Sequence, residues 1–212
     1  MTPEIQPDQR VSILARMLPA FSCWVVMLGA ALSAILIMGV MNAMRNAEAA
    51  GIGAVAGGMA EANRSIVIAL YLAVFLMTIS MIVAIIRIFT ATKTVAPSVW
   101  FFVIIELLAI VPLALAWEAD SLLMGALMTR ANVSMIASNI QVCLTLTLIT
   151  AGLFSLILLV ASVIPLPSIM QARRSWTPIV MLGVMEVTLI ALAVAFQIHM
   201  SWLQRVGMRE NF

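Results

Sequence analysis

Residues 65–87 read SIVIALYLAVFLMTISMIVAIIR, with no charged side chain between Arg64 and Arg87. A bilayer core of about 30 Å needs roughly 20 apolar residues at about 1.5 Å rise each. This stretch meets that length in one unbroken run. It shows no alternation of apolar and polar residues, so it is not a barrel strand. Lipid offers nothing to free backbone groups, and a helix satisfies its own. The stretch therefore predicts a transmembrane helix.

The rest of the 212-residue chain repeats the pattern. Further spans are predicted at 20–42, 98–117, 136–163 and 177–199. Hydrophobic residues make up 64% of the chain and charged residues 9%, against roughly 45–50% and about 25% in soluble domains. Mean hydropathy is +1.17. These values exclude a soluble globular enzyme and a disordered chain. The fold class expected is all-α: a polytopic integral membrane protein, a bundle of five transmembrane helices. The domain is 20–199, with a flanking segment 1–19 and a polar tail 200–212. Residues 5–19, IQPDQRVSILARMLP, read either as a short amphipathic helix with Val11, Ile13, Leu14 and Met17 toward lipid, or as an ordinary basic flank.

Net charge is +2, and no basic stripe exists to follow a nucleic-acid backbone, so nucleic acid is not an expected partner. The expected partners are the lipid bilayer, other membrane subunits and further copies of the chain. Arg10, Arg16, Arg87, Lys93, Arg173 and Arg174 collect on the N-terminal side. Arg45, Arg64, Arg130, Arg205 and Arg209 collect on the other. The excess, small as it is, orients the N-terminus inside and the C-terminus outside. Cys23 and Cys143 lie in apolar runs and read as small buried hydrophobes. No cofactor is expected. No metal-ligand spacing, phosphate loop or nucleophile–base set is present, so enzyme activity has no residue set behind it.

Chemistry concentrates on two carboxyls. Glu106, in VWFFVIIELLAIVPLAL, and Glu186, in IVMLGVMEVTLIALAV, are the only acids inside the predicted spans. An ionisable group at mid-membrane costs at least roughly 2.5–3.5 kcal/mol on insertion scales, which makes it a functional-site hypothesis. Apolar surroundings favour the neutral acid. Two readings stand. Each is a proton- or cation-handling group, with Thr147 and Thr150 as relay hydroxyls. Alternatively, each is a protonated side chain bonding a neighbouring helix, with Thr78, Ser80, Thr145, Thr147, Thr150 or Thr188 as partner. Pro112 is expected to kink the third helix beyond Glu106. His199, the one histidine, is expected in water at the membrane interface. Asn63-Arg64-Ser65 and Asn132-Val133-Ser134 match the glycosylation pattern, but each also sits where a helix cap is expected.

Internal similarity is present. EANRS at 61–65 matches RANVS at 130–134, and ELLAIVPLALA from Glu106 matches EVTLIALAVAF from Glu186. Both pairs suggest two hairpins of like orientation.

LGAALSAILIMGVMNAM, residues 28–44, resembles the LG-x-x-GTVxG-x-MNAF helix of the MotA/TolQ/ExbB proton-channel family. IGAVAGGMAEA, at 52–62, resembles that family's LAxVAxGIAEAL segment, and LITAGLFSLILLVASVIP its TAxGLxxAIP. The family's GTV is Ser33-Ala34-Ile35 here. Its pore threonine is replaced by apolar residues around Ile66, and its large cytoplasmic domain is absent. The resemblance carries over Gly58, Ala60, Glu61 and Ala62 as fold positions. It implies an oligomeric inner-membrane motor complex with proton-channel or ion-transport function. A rival similarity links ELLAIVPLALA to the carboxylate helix of rotary ATPase proteolipids, E-x-x-AIYGL-x-x-A, with Val111-Pro112 in place of Tyr-Gly. The competing expectations are a structural or assembly subunit without ion transport, and a proteolipid-like rotor.

Overall fold

A computed structural model describes residues 7–46, 52–90, 99–128, 133–163 and 177–209, with side chains within 17–43, 53–86, 89, 106–125, 139–158 and 179–206. Described residues form five helices and no strand: α1 (Pro7–Asn46), α2 (Ile52–Thr90), α3 (Val99–Met128), α4 (Val133–Val163) and α5 (Thr177–Arg209). Each is long and apolar enough to cross a membrane. The protein is an all-α five-helix bundle and an integral membrane protein.

The helices overrun the spans expected from apolarity. α1 is one helix of 40 residues, about 60 Å at 1.5 Å per residue. It absorbs most of the flanking segment and runs on through Pro19. The side chains that would give that segment an amphipathic face lie outside the described residues, apart from an exposed Met17. α2 begins at Ile52 and takes in the glycine-rich stretch before Arg64. Ala54, Ala56, Ala60 and Ala62 are strong helix formers there. α3 continues past Trp117 to Met128 and carries Glu118 and Asp120 with it. α5 reaches Arg209, so most of the expected tail is helix. The loop residues Lys93, Arg130, Asn132, Arg173 and Arg174 lie outside the described residues.

α1 and α2 form the central antiparallel pair. Ser22 Oγ donates to the Ala73 carbonyl at 2.9 Å, and Ser65 Oγ reaches the Gly29 carbonyl at 3.2 Å. Gly29 permits this approach, because a Cβ there would lie 2.4 Å from Ala69 Cβ. A Cβ on Gly58 would meet Val40 Cγ2 at 2.8 Å. Small residues at a membrane helix crossing let backbones come close, and dispersion and hydrogen bonding then hold them. α5 packs along α2, α4 along α1 and α3, and α3 also along α1. Described residues of α4 and α5 make no contact, and α3 meets α5 only over a short stretch.

Along each helix the buried positions follow the three-to-four-residue period of one face. On α3 they include Ala109, Leu113, Ala116, Asp120 and Leu123; on α5 they include Leu182, Met185, Leu189, Ala193, Phe196 and Leu203. The outer faces carry Ile68, Tyr71, Phe75, Val142, Ile149, Val187 and Ile198, all exposed. Apolar residues facing outward would be costly in water but are at home in lipid.

Candidate functional site

Four helices contribute to a polar knot at the end of the bundle where α1 and α3 finish. Asp120 on α3 is fully buried, as are Asn63 on α2 and Ser33 on α1. Asn63 Nδ2 donates to Asp120 Oδ2. Ser33 Oγ donates to Asn63 Oδ1 at a long 3.4 Å. His199 on α5 brings Nε2 to 3.5 Å from the same Asp120 Oδ2, with 14% of its side chain exposed. Neither His199 Nε2 nor Asp120 Oδ1 has a hydrogen-bond partner.

An aromatic frame holds the imidazole. Trp117 lies 4.7 Å from the His199 ring and Trp202 lies 6.1 Å away, stacked at 24°. Trp117 meets Phe196 edge-on at 5.1 Å. Indole faces attract cations, so this frame suits a protonated imidazole. A buried carboxylate with one uncommitted oxygen is costly unless a charge or proton balances it. Asp120 and His199 together can hold one proton between them while their joint charge stays at zero.

This placement corrects two expectations. Glu106 and Glu186 are not the only acids in the helical core, because Asp120 belongs to α3. Nor does His199 stand in water, because Trp117, Trp202 and Asp120 enclose it. Asn63 neither caps a helix nor offers a glycosylation acceptor, since it lies within α2 and has no exposed surface. Asn132 of the second matching pattern lies outside the described residues.

Glu186 faces α2. Thr78 Oγ1 lies 2.6 Å from Glu186 Oε1 and 2.9 Å from the Val74 carbonyl. A hydroxyl has one hydrogen and a carbonyl has none. Both contacts are hydrogen bonds at once when that hydrogen is shared between the two acceptors, or when a protonated Glu186 donates to Thr78. Glu106 is half-buried on α3 and lies within electrostatic range of Cys23 on α1. Glu106 and Glu186 sit at one level. The register that sets Trp117 against Phe196 and Asp120 against His199 carries Glu106 to the level of Glu186. Both lie about 20 Å along their helices from the Asp120–His199 pair.

Thr147 and Thr150 are not brought to either glutamate by any described contact. Thr147 Oγ1 donates to the Cys143 carbonyl at 2.9 Å and Thr150 Oγ1 to the Leu146 carbonyl at 2.7 Å. Their helix, α4, does not touch α5. Between the glutamate level and the knot lie Leu70, Ala73, Leu113, Ala116, Leu189 and Ala193, all buried. Ser65 on α2 and Thr188 on α5, both half-buried, are hydroxyls beside that layer, and their hydrogens go to the backbone carbonyls of Ala62 and Val184. Glu61 and Arg64 form an exposed pair at 3.6 Å, of the kind that contributes little. Among the described residues no group of three or more His, Cys, Asp or Glu could hold a metal ion.

Sequence reasoning missed Asp120 because it lies near Glu118 and Arg130, where charge density ends the apolar run. Its phase carried the signal. Glu106, Ala109, Leu113, Ala116 and Asp120 recur at helical spacing, so Asp120 shares the inward face.

No family model, curated protein or solved structure matches the chain.

Proposed function

We propose that this chain is a proton-handling subunit of a membrane complex, working through buried carboxyl groups. The observation that carries the reading is Asp120, fully buried with a free oxygen and with His199 beside it. An ionisable residue within a membrane span is a functional-site hypothesis by default, and its partner here is His199. An imidazole beside a carboxyl gives the pair both a proton donor and a proton acceptor. Glu186 and Glu106 form a second level of protonatable groups. The similarity of residues 28–87 to the MotA/TolQ/ExbB family accords with this role. With it go an inner-membrane location, assembly with other subunits or further copies, and an N-terminus inside.

The test is proton flux in liposomes holding the complex as extracted with its co-purifying chains, read with an entrapped pH dye. Asp120→Asn and Glu186→Gln are expected to lower flux at least tenfold at unchanged expression. Flux that matches the unmodified complex in both variants refutes the reading.

A second reading is a structural or assembly subunit. The chain from Glu186 through Thr78 to the Val74 carbonyl favours it, because a neutral acid spent on one hydrogen bond is interhelical glue. The apolar layer between the two levels favours it too. It predicts no flux, with Glu186→Gln tolerated and Glu186→Leu destabilising.

A further inference from the structure

The seam between α3 and α5 is narrow. α3 packs extensively on α4 and α1 but meets α5 and α2 at few positions. The side-chain ties across that seam fall in a single turn of α3. Trp117 touches Phe196 and His199, and Asp120 reaches His199 and Asn63. The groups facing the pair are Asn63 of α2, with Ser33 of α1 behind it, and Trp117 and Trp202 around the imidazole. Glu61 and Arg64 on α2, Glu118 on α3 and Arg205 on α5 are the nearest charged groups along these helices, and all are exposed. Described side chains of α1 and α4 include no charged group.

We propose that Asp120 and His199 form a proton-operated clasp, closing the seam between α3 and α5 while the pair holds one proton and releasing it when that proton leaves. The proposal rests on the proton-handling reading and adds what the proton does. With one proton the pair is neutral overall, whichever member carries it, and sits in apolar surroundings at little cost. Without it, a carboxylate remains that carries a full charge, faced only by the Asn63 amide and by an imidazole left with a single N–H and no charge. A buried charge so placed draws in water or moves toward it. His199 is the less buried member of the pair, 14% exposed against 0%, so the charged carboxylate gains room on that side, and that parts α3 from α5. Proton loss at this end then admits water toward the apolar layer.

The test uses the full chain in lipid nanodiscs, with Cys23 and Cys143 changed to Ala and spin labels on Ser121→Cys and Gln204→Cys. Both label positions are exposed. Label separation and tryptophan emission are followed from about pH 6 to about pH 9, the range across which histidine changes charge. A protonated imidazole quenches neighbouring indoles, so Trp117 and Trp202 report the proton itself. The expected result is a longer label separation growing in as pH rises, in step with the rise in emission. Both changes should vanish in the Asp120→Asn/His199→Gln double variant, and in His199→Gln alone should the double variant fail to fold. Emission that titrates at constant separation overturns the clasp and leaves proton handling standing. Emission and separation that both stay flat overturn the two together.

Discussion

Replacing Asp120 and His199 by Ala, singly and together, measures what the pair contributes to the bundle. Two unit charges 3.5 Å apart attract by about 5 kcal/mol at an effective dielectric near 20. The side chains are 0% and 14% exposed, so solvent screens them little. Desolvation offsets part of the attraction, and removing one partner of a buried pair costs roughly 3–5 kcal/mol in all. A neutral interhelical hydrogen bond in a membrane protein gives far less, about 0.6 and at most about 1.7 kcal/mol. An ionised pair therefore predicts a coupling of about 2–4 kcal/mol near neutral pH, a factor of roughly 30 to several hundred in the unfolding equilibrium. The assay is the unfolding equilibrium of the four proteins in bicelles, by steric trapping or denaturing-detergent titration. A coupling below about 1.7 kcal/mol assigns a neutral pair and refutes the ion-pair reasoning. One within about 0.5 kcal/mol of zero, the scatter of independent sites, refutes any direct interaction.

Further expectations concern packing and hydrogen bonding. Gly29→Ala should destabilise the bundle by about 1–3 kcal/mol, because its methyl would lie inside Ala69 and force α1 from α2. Gly183→Ala, with nothing within 4 Å of its Cβ, should instead stabilise α5 by up to about 1 kcal/mol; equal responses in the same unfolding assay would overturn the close α1–α2 approach. Asn63→Leu should cost about 1–3 kcal/mol by removing the one donor to Asp120, whereas Ser33→Ala, ending a 3.4 Å contact, should cost under about 1 kcal/mol. Glu186→Gln should retain the bond to Thr78 and change stability by under about 1 kcal/mol, while Glu186→Leu removes that interhelical bond, leaves Thr78 only the Val74 carbonyl and lowers stability further. Comparable losses in both variants would show that the carboxyl itself, not a hydrogen bond, holds α5 to α2.

Helix class and helix number were legible because membrane crossing is a property of local composition. Twenty apolar residues span lipid whatever their neighbours do, and residues 65–87 decide that alone. Helix ends were less legible. The stretch before Arg64 looks like a loop by its glycines, yet its alanines and the partner surface around Val40 keep it helical. Glu106 and Glu186 were found because a carboxyl amid leucines contrasts with its surroundings. Asp120 and Asn63 were not, because each lies near charged neighbours or at a place where capping or solvation explains it locally, and Ser33 was not, because a lone hydroxyl in an apolar run reads as satisfied by its own helix backbone.

What the sequence by itself determined is the solvent of the protein, its five helices and the presence of mid-membrane acids. These follow from transfer free energies summed over short windows. Which polar groups meet was decided only by the tertiary structure. Thr147 and Thr150 turned their hydroxyls to their own backbone rather than to another helix. Thr78 came to Glu186, and Asn63 of α2 and His199 of α5 came to Asp120, with Ser33 of α1 behind Asn63. Helix phase shows which face a residue occupies, but not which helix it faces. That choice rests on the close fit of α1 against α2 at Gly29 and Gly58, and on the packing of α5 along α2. Together they place His199 beside a carboxylate that lies far from it in the chain.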